Sequence, residues 1–284
     1  MSKNQMFAKM ILASQNYETG DKIYTFHCHY PRFIHSEIMT HRAFSRNARS
    51  SRAVPVVKMI NEVRNNPVVP WHWHKNCPGM QGHEENNNLI PGFDGRIKDQ
   101  TKEEAWLYAA YTAAMIADGF AYKGYHKQIV NRLLEPFMWI DTLITSTPRG
   151  LDNFFELRRH EDAEPHIHDL ADMIYECVQN ADLTIVEESR WHLPYVQNCE
   201  FALEDEVLCK VSAARCARIS YNPFNEEKAN IKKDLDLFEK LAGSRPIHAS
   251  ALEHQAQADK WIKRSGNLGR GWIQFRQLYE SRHI

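Results

Sequence analysis

Residues 40–52 read THRAFSRNARSSR, and the reading of the whole chain turns on this stretch. It carries Arg42, Arg46, Arg49 and Arg52 with no acid among them, together with Ser45, Asn47, Ser50 and Ser51. Guanidiniums beside hydroxyl donors are the groups that hold phosphate in a bidentate way; a solvated basic loop is the alternative. Just upstream, residues 22–30 (KIYTFHCHY) are rich in β-branched and aromatic side chains and predict a strand closed by Pro31. From Arg32 the period changes. Ile34, Ile38 and His41 recur at i, i+4, i+7, which predicts a helix to about Phe44.

Further out, residues 65–101 hold four Pro and four Gly and predict a long loop or insertion. Helical spacing is read over 103–122, 126–144 and 151–162, and a long amphipathic helix over 167–191. Residues 207–220 read as a strand continuing into a helix, and 226–241 as a charged amphipathic helix. The tail closes on Trp261, Trp272, Phe275 and Tyr279.

The chain has 284 residues, 43% hydrophobic, with 35 Lys plus Arg against 36 Asp plus Glu. This describes a folded protein, read as a single domain over 1–284, and excludes low-complexity and disordered classes. The apolar patch over residues 10–13 is too short for a signal core, and the run over 109–117 is about half of a membrane span. The expectation is therefore a cytoplasmic protein without a membrane partner. The six cysteines form no CxxC pair and are read as reduced thiols. Neither His72-x-His74-x-x-Cys77 nor His166-x-His168 has a matching second half, so no metal site is expected. No G-x-G-x-x-G, P-loop or G-x-S-x-G motif occurs, which argues against Rossmann, P-loop and serine-elbow enzymes.

Two arginines sit where helix periodicity calls for apolar residues. Leu151, Phe154 and Phe155 define a stripe whose i+7 position is Arg158. A buried guanidinium must be paired, here by a substrate anion or polar ring edge, or by Glu161 or Glu164. Ile129, Leu133 and Phe137 step along one face with Arg132 beside them. Together with the basic stretch, these arginines point to a phosphate-bearing ligand.

The stretch at 40–52 resembles the signature of flavin-dependent thymidylate synthases, with His41-Arg42, Ser45, Asn47, Ser50 and Arg52 matching. Residues 131–136 (NRLLEP) are similar to that family's arginine-bearing helix, and 149–158 (RGLDNFFELR) to its R-S-L-x-N-F-x-x-L-R segment. Residues 213–221 (AARCARISY) and 248–254 (HASALEH) resemble segments that the family carries before the signature. Here they follow it, which implies a circularly permuted order in which 207–284 correspond to the family's N-terminal part. Glu253-His254 should then pack against the strand over residues 24–30.

The resemblance implies an α+β fold with a mixed or antiparallel sheet and long helices. It implies transfer of a one-carbon unit from 5,10-methylenetetrahydrofolate to C5 of dUMP, giving dTMP, with FAD as hydride carrier and NADPH as reductant. Carried over, Arg158 is the catalytic residue that polarises the pyrimidine, and Glu37, Ser50, Ser51, Arg52 and Arg132 join it in binding the nucleotide. His41, Arg42, Ser45, Asn47, Arg149, Asn153 and Leu157 fall on the FAD site, with Ser220 and His254 added by the permuted segment. A homotetramer in the cytoplasm is implied, the host's if the chain is phage-encoded.

Four positions depart from the signature: Thr40 and Ala48 replace Arg and Glu, Glu37 replaces Gln, and Ala53 replaces an aromatic residue. Glu37 can accept from the exocyclic amine of cytosine and would repel O4 of uracil, so methylation or hydroxymethylation of dCMP or dUMP stands as an alternative. A nucleic-acid-binding module is a remote alternative, and a net charge of −1 does not favour it.

Overall fold

A computed structural model describes residues 2–92, 98–221, 224, 229–243, 245–260 and 266–283. In chain order the first half forms β1 (Phe7–Asn16), β2 (Lys22–Pro31), α1 (His35–Thr40), β3 (Ser45–Ala48), α2 (Val56–Asn65), α3 (Lys102–Tyr122) and α4 (Lys127–Val130). The second half forms β4 (Trp139–Ser146), α5 (Pro148–Arg158), α6 (Pro165–Gln179), β5 (Thr184–Val186), β6 (Trp191–His192), α7 (Asp205–Ala217), α8 (Ile231–Ala242), β7 (Ala256–Ala258), β8 (Trp272–Gln274) and α9 (Phe275–His283). Among the described residues, one sheet runs β3-β4-β2-β1-β5 and a smaller one runs β6-β7-β8. The larger sheet is mixed: β1–β2, β2–β4 and β3–β4 are antiparallel, whereas β1–β5 is parallel.

The pleat of β2 explains the layering. Tyr24, Phe26, Cys28 and Tyr30 point to one face and meet Leu151 and Phe154 of α5 and Ile167, Leu170 and Ile174 of α6. On the other face Ile23 packs with Ala256, Leu268 and Trp272 of the C-terminal segment. Thr25 lies in a buried chain of polar side chains. Ser14 Oγ, His192 and Thr25 Oγ1 are linked at 2.8 and 2.9 Å, Thr25 and Thr145 at 2.7 Å, and Thr145 and His254 Nδ1 at 2.8 Å. His254 therefore sits on β4 and reaches the β2 strand through the Thr145 hydroxyl.

Because both faces are covered, β4 is buried at all eight positions and shows no alternation. This corrects the helix expected over 126–144. Helical structure there is limited to α4 and a 3-10 turn over Asn131–Phe137 that contains Pro136, and the chain then enters β4. The side chains turned inward are Val130, Leu134 and Met138, whereas Ile129 and Leu133 are exposed, so Arg132 does not lie against a buried stripe.

Other boundaries also shift. The helix expected to Phe44 ends at Thr40, where the Arg46 guanidinium donates to the carbonyls of Ile38, Met39 and His41 and so satisfies its C-terminal turn. Residues 45–48 are a strand rather than a basic loop. The long helix expected over 167–191 stops at Gln179 and gives way to β5 and β6. Residues 207–220 do not open as a strand; α7 is helical from Asp205. The helix expected at 226–241 is described from Ile231, its residues 226–228 and Trp261 lying outside the described residues.

Helix α3 starts on a reciprocal capping box between Thr101 and Glu104. Between Asn65 and α3 the described backbone has no helix and only the isolated bridges His74–Glu85 and Ile90–Gln100; residues 93–97 lie outside the described residues. No described helix is long and apolar enough to cross a membrane.

Candidate active site

Helix α5 brings its last residue onto the signature stretch. Its buried residues Leu151 and Phe154 seat it on the sheet, and Phe154 meets Phe44 at 5.2 Å and the edge of the His41 ring at 4.9 Å. Gly150 permits this approach, since a Cβ there would stand 2.3 Å from Ser146 Oγ and 3.1 Å from the Ala43 Cβ. One turn beyond Phe154, Arg158 donates from one guanidinium nitrogen to Glu37 at 2.7 Å, from Nε to His41 Nε2 at 3.0 Å and from another nitrogen to Thr40 Oγ1 at 3.3 Å.

The charge states follow from this geometry. Burial, with Arg158 and Arg46 adding, lowers His41 to about 4, so the imidazole is neutral near pH 7 and its Nε2 accepts. Burial pushes Glu37 above the usual carboxylate range, Arg158 opposes this, and Glu164 adds to it. The partner of Arg158 is thus Glu37, not Glu161 or Glu164. Glu164 instead caps α6 at the amides of His166 and Ile167.

The other nucleotide candidates are held by contacts of their own. Ser50, Ser51 and Arg52 form the turn after β3. The Ser50 amide donates to the Ser220 carbonyl at 3.0 Å, and the Ser51 carbonyl accepts from Asn131 at 2.6 Å. Asn131 precedes Arg132, so that turn and Arg132 are brought together, with Arg52 and Arg132 both exposed. Arg132 lines a cleft of about 450 Å³ with Arg32, Phe33, His35, Ser36 and Glu135. Glu135 lies 3.0 Å from Arg32 and 3.9 Å from Arg132. Arg32, His35 and Ser36 are lining residues that nothing local in the sequence marks; the fold alone sets them beside a position a hundred residues away.

The FAD candidates divide in two. Arg42 and Arg149 are exposed and line a cleft of about 480 Å³ with Lys22, Arg270 and Asp21. Asn153 and Leu157 are exposed on α5. Ser45, Asn47 and His254 are instead buried and tied to the rest of the chain. Ser45 Oγ accepts from Gln274 at 2.8 Å, Asn47 donates to the Cys216 carbonyl at 3.3 Å and accepts from Ser250 at 2.8 Å. Ser220 is half-buried, its carbonyl taken by Ser50.

The remaining arginines of the basic stretch are spent within the fold: Arg46 on α1, Arg49 on Glu62 at 2.7 Å. Among the described residues no group of three or more His, Cys, Asp or Glu stands in a position to hold a metal ion. His72 is bound to Asp169 at 3.0 Å and His166 to Glu164 at 2.5 Å. Cys28, Cys209 and Cys216 are buried, and burial pushes their thiols upward, the reverse of an activated nucleophile.

A family model described as thymidylate synthase complementing protein matches residues 3–182. No curated protein matches the chain significantly. Among solved structures, the UMP/dUMP methylase PolB from Streptomyces cacaoi bound with 5-Br UMP is similar at TM-score 0.45 and 15% identity, over 61% of this chain and 88% of that one. The same methylase bound with 5-Br dUMP gives TM-score 0.42 and 13% identity over 61% and 89%.

Proposed function

The chain belongs to the thymidylate synthase complementing protein family, and from that premise we propose that it transfers a one-carbon unit from methylenetetrahydrofolate to C5 of a pyrimidine deoxynucleoside monophosphate, converting dUMP to dTMP. The observation that carries this reading is the convergence of Arg158 on Glu37, Thr40 and His41, between 117 and 121 residues away in sequence. A guanidinium held there donates to a pyrimidine carbonyl as charge develops on the ring. Neutral His41 fixes its Nε, and Glu37 accepts from the ring edge. Ser50, Ser51, Arg52 and Arg132 would take the phosphate.

The cationic lining of the second cleft fits the pyrophosphate of FAD. Arg42 and Arg149, with Lys22, would hold those phosphates, Asn153 and Leu157 extending the site along α5, while Arg270 is already bound to Asp21 at 2.9 Å. A bound flavin supplies the hydride chemistry, with NADPH as the family's reductant.

A specific observation favours a second reading. Glu37 stands where the signature has Gln and places a carboxylate in the base-recognition cluster, which suits the exocyclic amine of dCMP; hydroxymethylation is the accompanying alternative. Incubation with FAD, NADPH and methylenetetrahydrofolate, offering dUMP and dCMP in parallel with mass analysis, tests both. A methylated dUMP is the expected product, product from dCMP alone selects the second reading, and no modified nucleotide from either rejects both.

The permuted order is part of the proposal. Residues 207–284 lie outside the matched range, and their AARCARISY and HASALEH segments meet the signature strand through Asn47–Cys216, Ser250–Asn47 and Ser50–Ser220. We also propose a homotetramer. Residues 105–122 carry one charge, Asp118, already bound to Arg64 at 2.9 Å. Small Ala110, Ala114 and Ala117 face inward while Leu107, Tyr108, Tyr111, Met115 and Tyr122 face outward. A helix apolar on both sides requires a cover, which a second copy supplies.

A further inference from the structure

The segment between α2 and α3 builds a third cavity, lined by none of the residues assigned above to the nucleotide or the flavin. Its volume is about 520 Å³, within the range of small-molecule sites, and it is bounded by Trp73, His74, Asn86 and Asn88 of the segment and by Lys102 and Trp106 of α3. The two indoles stand at 81° with centroids 5.8 Å apart. Their N–H groups are already spent, Trp73 on the Pro70 carbonyl at 2.9 Å and Trp106 on the Val68 carbonyl at 2.7 Å. The rings are therefore locked before any ligand arrives, and what they offer is aromatic surface.

Polar capacity remains on the opposite wall. The Asn86 side-chain oxygen accepts from the Asn88 amide nitrogen of the backbone at 3.0 Å, which leaves its NH₂ group. Among the described residues, neither the Asn88 side chain nor the His74 ring makes a hydrogen bond. The one cation is compensated: Lys102 is bound by Glu85, by the Asn86 carbonyl at 3.2 Å and by Asn87 at 2.8 Å. The two arginine clefts suit phosphate; this cavity, whose lysine among the described lining residues is compensated, does not. It also neighbours the Arg32/Arg132 cleft, since His72 at its edge meets His166 at 5.1 Å and His166 meets Phe33 at 5.1 Å.

We propose that this cavity binds a neutral, planar heteroaromatic ring with amide-type hydrogen-bonding edges, stacked on Trp73 or Trp106 and read by Asn86, Asn88 and His74. A pterin, a nicotinamide and a nucleobase share that chemistry. The inference concerns a site apart from the Arg158 cluster, and binding there is read without turnover.

The test is calorimetric titration of the full chain with pterin, nicotinamide and deoxycytidine separately, and with glucose as a non-aromatic control. One ring should bind saturably, and which one identifies the source. Asn88→Ala and Trp73→Leu should each weaken it about tenfold, the scale of one stacked or edge-bonded ring, whereas Arg158→Ala leaves it unchanged. Among the described residues the Asn88 side chain makes no hydrogen bond, so its variant keeps the test decisive if Trp73→Leu unfolds. The proposal is overturned if no ring saturates below about 10 mM. It is also overturned if glucose binds instead, or if Asn88→Ala leaves the binding unchanged.

Discussion

Replacing Arg158 by Gln tests the heart of the site. The substitution removes the charge opposite Glu37, which lies 2.7 Å away in a pair whose side chains are 19% and 31% exposed. Two unit charges at 2.7 Å attract by roughly 6 kcal/mol at an effective dielectric of 20. Desolvation and screening of a partly exposed pair reduce the net loss to about 1–2 kcal/mol. For a chain of 284 residues this lowers the melting temperature by about 2–4 °C. Turnover should fall much further, by about 10²–10³-fold, because the role proposed for the guanidinium is to donate where charge develops on the ring.

The assay combines thermal unfolding, flavin absorbance and turnover for the wild type, Arg158→Gln, Glu37→Gln and the double variant. The cycle should return a coupling of about 1–2 kcal/mol in stability, with flavin retained in every protein. Additive effects would refute the pair. Turnover of Arg158→Gln within about threefold of the wild type would refute its catalytic role.

Glu37→Gln should raise the kcat/KM ratio of dUMP over dCMP by about 10²-fold, since the change replaces a group that only accepts with one that also donates; an unchanged ratio removes Glu37 from base recognition. Burial lowers His192 and His254 to about 3, against 6.5 for an unhindered imidazole. The unfolded chain therefore binds more protons between pH 3 and 6.5, and stability is lost as pH falls below 6.5, by up to about 1.4 kcal/mol per unit for each histidine. A melting temperature that rises on acidification through this window would contradict the burial of these rings. Tyr111→Glu with Met115→Glu should convert the assembly to a smaller species in analytical ultracentrifugation; a wild type that is already monomeric sinks the proposed cover of α3.

What the sequence disclosed depended on whether a periodic signal was present. β2 was legible because its β-branched and aromatic residues end at Pro31. Helix α3 was legible within one residue, and Arg158 stood out against its apolar stripe. β4 was not, because a strand covered on both faces has no alternation and reads as a helix beside the turn before it. β1 was seen only as the apolar patch over 10–13, since Lys9 and a register shift between Met10 and Leu12 break its pattern. In the site, the nature of Arg158 was readable but its partner was not. A helix period points to neighbours such as Glu161, whereas Glu37 is joined to it only by the packing of Phe154 on His41 and Phe44. In the same way Ser45 and Asn47 look like ligand groups in the signature and lie buried against Gln274 and Ser250, contacts made across more than two hundred residues.

The most direct measurement is tritium release from C5-labelled dUMP, with labelled dCMP alongside, by the full chain with FAD, NADPH and methylenetetrahydrofolate. Release from a labelled nucleotide, dependent on the folate and lost in Arg158→Ala, is the result expected of substitution at C5. A flavin-loaded protein that releases tritium from neither nucleotide would contradict the assignment.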